Sequence, residues 1–200
     1  MRKWVSIVLM LLLLSLAGTV LAAERVPLRV AVLPVLDQTG GWLDRDGAAM
    51  LSARLQQEFY VPLNDTLQAV VYVPQTEVLA AYNSLVLDAR TQGKKLTLED
   101  TLTQLALKLP ADLVLNLAVD SWYERTYINW EGDSCTEASA SLTLYGWNQR
   151  TQQPIRKNAS RWVNDDTSAV GGVDQQGSEA LDELLGKLQL RKLIFPLQGK

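Results

Sequence analysis

Histidine does not occur anywhere in the sequence, and its absence excludes several kinds of chemistry at once. A Ser-His-Asp triad, a Cys-His dyad and an imidazole metal site are all impossible without it. Catalysis by lysine, tyrosine or paired carboxylates remains open. The composition therefore argues against most hydrolases, and we expect neither a metal nor a cofactor.

Cysteine is almost as scarce, because Cys135 is the only one in the chain. A single thiol cannot form a disulfide within the chain, so the stability of the fold must come from packing. Cys135 lies in the polar, turn-like residues 132–136. An intermolecular disulfide or a reactive nucleophile is conceivable there. With no histidine to activate it, the thiol is better interpreted as free and partly covered.

A strong charge of either sign is also missing. The chain carries 19 Lys and Arg against 22 Asp and Glu, which gives a formal net charge of −3. Such a balance provides no basic field to hold nucleic acid or an anionic lipid surface. We therefore expect no nucleic-acid partner.

The first 22 residues have the pattern of an export signal. Arg2 and Lys3 form a positive start, residues 7–14 are almost entirely apolar, and a small-residue cleavage pattern ends at Ala22. Cleavage is predicted after Ala22, with Ala23 as the alternative site. A retained membrane anchor is the competing interpretation, but the apolar run is short for a bilayer span.

This N-terminal pattern leads to a predicted location. No cysteine lies in the first 22 residues, so the lipobox of a lipoprotein is missing. The sequence thus predicts an exported protein of the periplasm or extracellular space that is not a lipoprotein. It also predicts no stable transmembrane segment once the signal is removed.

Hydrophobic periodicity divides the remaining chain into strands and helices. Three apolar runs predict buried strands. A run of alternating apolar and polar residues, followed by a turn and a second strand, predicts a hairpin. Helical spacing of apolar residues predicts four helices. The predicted strands are 28–35, 67–73, 113–119, 137–147 and 155–164, and the predicted helices are 44–59, 75–90 and 97–109, with a last helix around 181–188.

The element order is β-α-β-α-α-β-β-β-α. Apolar strands separated by helices, followed by an alternating hairpin, predict an α/β (α+β) fold with a mixed sheet of five to six strands and helices packed on it. No repeat or linker is visible, so residues 23–200 are predicted to form a single domain with a core at about residues 28–190.

Three segments of the chain resemble a known group of envelope proteins. The first is VAVLPV at residues 30–35 followed by DQTG at 37–40, the second is LALKLPADLVL at 105–115, and the third is the hairpin with SLTLY at 141–145, TQQPI at 151–155 and Trp162. Taken together, and in this order along the chain, the three segments resemble the fold that is shared by the TolB amino-terminal domain, the curli-secretion channel subunit and the penicillin-binding-protein activator lipoproteins. Pro110 departs from the family pattern, which has glycine there.

This resemblance implies a fold and an envelope setting. It carries over no catalytic residue, because the fold usually serves for docking. It therefore implies an envelope protein as the partner, and a homo-oligomer is possible.

The candidate binding surface is the densest aromatic stretch of the sequence. Tryptophan, tyrosine and arginine are the usual anchors of protein interfaces. The alternative interpretation is a strand whose aromatic side chains simply cover the sheet. The proposed partner-binding residues are Trp122, Tyr123, Arg125, Tyr127 and Trp130, with Trp42 in the loop 38–46 as a second contact.

Carboxylates offer the alternative function. Asp120, Glu124, Glu131 and Asp133 could supply the acid and base of a glycosidase-like pair if they faced each other across a cleft. Three further acids, Asp37, Asp44 and Asp46, lack the spacing of a calcium loop and are better interpreted as loop and helix-capping residues.

The sequence therefore predicts a non-enzymatic, protein-binding or assembly module of the cell envelope. Two alternatives stay open at this point. One is a cell-wall or small-ligand enzyme that uses carboxylates, and the other is an oligomeric secretion component.

Overall fold

The computed structural model describes residues 26–62, 68–165 and 171–194. The predicted signal peptide and its cleavage sites, Ala22 and Ala23, lie outside these residues and stay predictions. The described residues form a mixed α/β domain with six strands and five helices. This confirms the predicted fold class.

The helices and strands follow each other in nearly the predicted order. The strands are β1 (Leu28–Val32), β2 (Leu36–Asp37), β3 (Val70–Tyr72), β4 (Leu113–Ile128), β5 (Ser134–Asn148) and β6 (Gln153–Asp165). The helices are α1 (Arg45–Glu58), α2 (Gln75–Thr91), α3 (Leu98–Lys108), α4 (Val173–Leu188) and α5 (Leu190–Ile194). The sequence did not predict the short elements β2 and α5 as separate pieces.

The sheet has the strand order β3-β1-β4-β5-β6, and β2 pairs with β4 beside β1. β1 is parallel to β3 and β4, whereas β4, β5 and β6 form an antiparallel meander. The apolar strands thus occupy the parallel part, where helices cover both faces, and the alternating strands form the antiparallel part.

Two hydrophobic clusters lie on opposite faces of this sheet. On the α4 face, α1, α4 and α5 pack against the strands, with Leu51 and Leu55 of α1 and Leu181 and Leu184 of α4 fully buried. On the α3 face, α2 and α3 cover a smaller cluster. Successive residues of each buried strand contribute to the two clusters in turn.

Helix caps form where the sequence predicts them. The Asp44 side chain accepts a hydrogen bond of 2.7 Å from the Gly47 N–H and begins α1. Thr97 and Asp100 form a reciprocal capping box at the start of α3. These caps satisfy backbone donors that a helix start would otherwise leave free.

The central hairpin is longer than predicted. β4 has 16 residues and β5 has 15, and they pair from Leu113↔Asn148 to Ile128↔Ser134 with one shift of register between Val119 and Ser121. The predicted strand 113–119 therefore continues through the whole aromatic stretch. Its last residues pair with residues 134–136, which precede the predicted strand 137–147. These additional cross-strand pairs lengthen both strands.

A single carboxylate connects three strands at the start of β4. Asp112 accepts two hydrogen bonds of 2.9 Å from the Arg150 guanidinium, at the β5–β6 turn, and one of 2.9 Å from the Arg29 N–H in β1. Burial by itself raises the pKa of Asp112, but these hydrogen bonds outweigh it and hold the pKa below its usual value.

We expect Asp112→Asn to lower the free energy of unfolding at pH 7 by roughly 1.5–3 kcal/mol, the range for charge-assisted hydrogen bonds. Because the folded-state pKa is depressed, the stabilisation is present above the unfolded value of 3.8 and disappears as the pH falls through the folded value. Urea unfolding at pH 7 and at acid pH measures it. Asp88→Asn, at a surface ion pair with Lys108, is the control and should change little. A difference between wild type and Asp112→Asn that persists at acid pH would contradict the ionic explanation.

Candidate functional site

A β-bulge in β4 decides which way the aromatic side chains point. The register between β4 and β5 shifts between Val119 and Ser121, so that Asp120 is the extra residue. A bulge of this kind interrupts the alternation of side chains along a strand. Val119 and Trp122 consequently both lie in the cluster of the α4 face. Asp120 lies on the other face, where its carboxylate accepts a hydrogen bond of 2.7 Å from the Thr143 hydroxyl.

Trp122 is a core residue and is only 4% exposed. Its ring lies against two glycines, Gly47 of α1 and Gly177 of α4. A Cβ atom would come within 3.0 Å of the ring at Gly47 and within 2.3 Å at Gly177. Trp122 therefore cannot be part of a partner-binding surface, which corrects its predicted role. For this residue the alternative interpretation, an aromatic side chain covering the sheet, is the right one.

The remaining aromatic residues of β4 lie on the opposite side, past the end of the helices. The cluster under α2 and α3 takes Val114 from β4, with Tyr145 and Trp147 of β5 packed against it. Beyond these residues, cross-strand neighbours of β4, β5 and β6 present polar and aromatic side chains. We call this surface the open face, and it consists of Trp42, Tyr123, Arg125, Tyr127, Glu137, Trp162 and Asn164.

Hydrogen bonds connect the three strands of the open face. The Nε atom of Arg125 donates to Glu137 at 2.6 Å, and the Trp162 indole donates to the other oxygen of Glu137 at 3.4 Å. The Tyr127 hydroxyl donates to the Asn164 side chain at 2.9 Å. The guanidinium of Arg125 also lies 5.2 Å from the centroid of the Tyr127 ring. These contacts hold the aromatic rings and the guanidinium in fixed positions relative to each other.

The Arg125–Glu137 pair is the charged centre of the open face. The hydrogen bond from Arg125 to Glu137 raises the pKa of Arg125 above its usual value, so the guanidinium stays charged. The Arg125 side chain is nevertheless 58% exposed. It is thus held in place while remaining accessible to another molecule.

The loop after β2 brings Trp42 to the open face. Asp37 accepts hydrogen bonds from the N–H and the hydroxyl of Thr39, which lower the pKa of Asp37. The Thr39 hydroxyl oxygen in turn accepts from the Trp42 and Leu43 N–H groups. This turn places the Trp42 ring edge-on to Tyr123, with ring centroids 6.1 Å apart. Trp42 remains 65% exposed.

Trp130 lies away from this group, at the tip of the β4–β5 hairpin. The tip is closed by Asn129, whose side-chain oxygen accepts from the N–H groups of Glu131 and Asp133. Trp130 is 91% exposed there. Cys135, beside the tip, is a buried free thiol.

The structure therefore divides the six predicted site residues into three groups. Trp42, Tyr123, Arg125 and Tyr127 belong to the open face, Trp130 is at the hairpin tip, and Trp122 is in the core. Glu137, Trp162 and Asn164 also belong to the open face and are not among the residues predicted from the sequence. Their signal is the cross-strand register, which pairs Glu137 with both Arg125 and Asn164.

The carboxylates proposed for an enzyme have other partners or positions. Glu124 accepts a hydrogen bond of 2.7 Å from the Val173 N–H at the start of α4, on the face opposite to Asp120. Glu131 and Asp133 belong to the turn at the hairpin tip. Among the described residues, no group of three or more potential ligands is arranged to hold a metal ion.

Over the parts of the chain that the structure describes, no helix has the length and apolar character needed to cross a bilayer.

The comparisons with known proteins give similarities of fold. No protein-family model and no curated protein matches the chain. Similar solved structures include the PelC dodecamer from Paraburkholderia phytofirmans, with 16% identity, 82% of this chain and 88% of that chain covered, and a TM-score of 0.41. The lipoprotein GNA1162 from Neisseria meningitidis has 18% identity, 82% and 97% coverage and a TM-score of 0.35. The LpoB C-terminal domain from Escherichia coli has 16% identity, 76% and 94% coverage and a TM-score of 0.38.

The names of similar structures contradict the prediction that excluded a lipoprotein. GNA1162 is a lipoprotein, and similar structures from Acinetobacter baumannii and Caulobacter crescentus are also named as lipoproteins. The prediction that this protein is not a lipoprotein is therefore wrong.

The two outer tryptophans of the aromatic stretch should differ sharply in their effect on stability. We expect Trp122→Ala to lower the free energy of unfolding by about 3–5 kcal/mol, because it opens a cavity between α1, α4 and the sheet. Trp130→Ala is the matched control and should change it by no more than about 0.5 kcal/mol, as for other surface substitutions. Urea unfolding followed by circular dichroism measures both values, and similar values for the two variants would contradict the assigned positions.

Proposed function

We propose that the chain is a non-enzymatic, protein-binding module of the cell envelope and that the open face is its binding site. The observation that carries this proposal is the group formed by Arg125, Glu137, Tyr127 and Trp162. Arg125 and Trp162 are exposed and both donate hydrogen bonds to Glu137, and the Arg125 guanidinium lies over the Tyr127 ring. The envelope setting rests on the resemblance of the sequence to TolB-like envelope proteins.

The composition of the open face supports protein binding in particular. Aromatic residues and arginine are enriched in protein interfaces and contribute most of their binding energy. Trp42 and Trp162 are 65% and 64% exposed, so their rings can be buried by a partner. Burying large rings that are already exposed removes apolar area from water at little cost in polar desolvation.

Fixed side-chain geometry supports the same function. Immobilising a flexible side chain on binding costs roughly 0.5–1.5 kcal/mol. Arg125 and Tyr127 are already held by Glu137 and Asn164, so a partner has less of this cost to overcome. The Arg125 guanidinium, which uses Nε for Glu137, is within reach of a carboxylate or a carbonyl oxygen of the partner.

A carboxylate-based enzyme is the weaker alternative. An acid and a base would have to face each other across a cleft at about 5–10 Å. Asp120 and Glu124 instead lie on opposite faces of β4, and each accepts a hydrogen bond from a neighbouring strand or helix. No observation in the described residues favours this alternative.

We expect Arg125→Glu to reduce partner capture at least tenfold, because it places two carboxylates side by side and reverses the charge of the open face. The double variant Arg125→Glu, Glu137→Arg restores the ion pair with its charges exchanged. It should recover the stability of the wild type but not its binding. A role in folding alone would predict recovery of both, so the double variant separates the two roles.

The measurement is a crosslinking pull-down of the tagged protein from the cell envelope, followed by quantitative mass spectrometry and repeated with the purified partner. Arg90→Ala, at an exposed arginine of α2 far along the chain from the open face, is the control and should capture as much as the wild type. Equal capture by wild type and Arg125→Glu would disprove the assignment of the open face.

A further inference from the structure

β6 forms an unusually long free edge of the sheet. It has 13 residues, stands at the end of the strand order, and pairs only with β5 among the described residues. A free edge presents unpaired backbone N–H and C=O groups that can pair with another strand. The opposite edge is formed by β3, which has only three residues.

One contact shows which backbone groups of β6 point away from β5. The Lys187 ammonium of α4 donates a hydrogen bond of 2.8 Å to the backbone carbonyl of Asn158. This carbonyl therefore points outward. In an antiparallel ladder, both groups of every second residue point to the same side. Ser160, Trp162 and Asn164 consequently also direct their N–H and C=O groups outward.

The first half of the edge is protected against pairing. Pro154 has no N–H to donate, and Lys187 occupies the carbonyl of Asn158. Arg156 and Lys157 add two positive charges, which would repel those of a second copy. Proline and lysine on an edge strand are the usual means of preventing edge-to-edge association.

The second half of the edge carries none of these features. Ser160 and Asn164 are small or neutral and polar, and Trp162 is 64% exposed. Both nearby arginines are already paired: Arg161 contacts Glu183 at 2.8 Å and Arg125 contacts Glu137 at 2.6 Å. A second molecule can therefore approach this half without bringing unpaired arginines together.

We propose that this half of β6 pairs with the same half of β6 in a second copy of the chain. A two-fold axis at Trp162 pairs Trp162 with its own copy and Ser160 with Asn164 in both directions. All three positions have outward groups, so each pair exchanges two backbone hydrogen bonds. The pairing ends at Asn158, where Lys187 already occupies the carbonyl. The second half of β6 can therefore pair with its own copy, and the pairing stops where the protected half begins.

The dimer has a consequence for the open face. A two-fold axis between antiparallel edge strands is perpendicular to the sheet, so the same face of both copies points to the same side. The two open faces become one continuous surface that meets at Trp162. This arrangement goes beyond the proposed function, because dimerisation requires no other protein.

Sedimentation equilibrium of the purified protein tests the proposal. We expect a concentration-dependent dimer, and we expect Ser160→Pro to weaken it at least tenfold, because proline removes an outward N–H. Ser160→Ala retains the N–H and should leave the dimer unchanged. Asn158→Pro removes an outward N–H from the protected half and should also leave it unchanged. Circular dichroism checks that each variant is folded, since the outward groups are not bonded to β5.

Disulfide crosslinking tests the register independently of stability. Paired residues of an antiparallel ladder have Cα atoms about 5.5 Å apart, which a disulfide can bridge. In a Cys135→Ser background, Trp162→Cys alone should form a covalent dimer. Asn164→Cys alone should not, but it should do so together with Ser160→Cys.

Three results would overturn the proposal. The wild type could remain a monomer at about 100 µM, a dimer could form that Ser160→Pro does not weaken, or Trp162→Cys could fail to crosslink within a dimer. If the monomeric wild type instead lost capture of its partner on Ser160→Pro, the edge would accept a strand of another protein. Arg125→Glu leaves the β6 edge intact, so failure of the binding role and failure of dimerisation are distinguishable.

Discussion

The packing of the Trp122 ring between two glycines is the contact on which the rest of the structure depends. Gly47 brings α1 and Gly177 brings α4 into direct contact with the ring, and neither helix could approach as closely with a side chain at that position. The bulge at Asp120 is what turns Trp122 toward these helices. One irregularity in one strand thus determines where two helices lie on the sheet.

The same bulge separates a covered surface from an accessible one. Past the bulge, Trp122 and Glu124 point toward α4, where Glu124 accepts a hydrogen bond from the first turn of the helix. Tyr123, Arg125 and Tyr127 point to the other side, past the cluster beneath α2 and α3. Aromatic side chains that are adjacent in sequence therefore have different roles, one group in folding and the other in proposed binding.

Hydrophobic periodicity was sufficient to predict the fold class and the order of the main helices and strands. Leu51, Leu55 and Phe59, four residues apart, are buried as predicted, and Asp44 and Thr97 cap their helices. Helices and their caps were thus predictable.

The residues of the candidate site were less predictable. The bulge at Asp120 has no signature in the sequence, so the sequence places Trp122 on the surface. Glu137 and Trp162 depend on a register between distant strands, and a register is settled by packing on the opposite face rather than by the residues that it brings together.

The open face and the free edge arise from one mismatch of lengths. β4, β5 and β6 have 16, 15 and 13 residues, whereas α3, which covers the other side of the sheet, has 11. A helix rises about 1.5 Å per residue and a strand about 3.3 Å, so α3 covers less than half the length of the hairpin.

The strands continue beyond α3 because α4 supports them from the other face, with Leu181 and Leu184 at its centre. The Arg125–Glu137 pair makes the centre of the uncovered half polar, while the rings of Trp42 and Trp162 stay exposed beside it. Such a combination of fixed charge and exposed rings is what the proposed binding role requires.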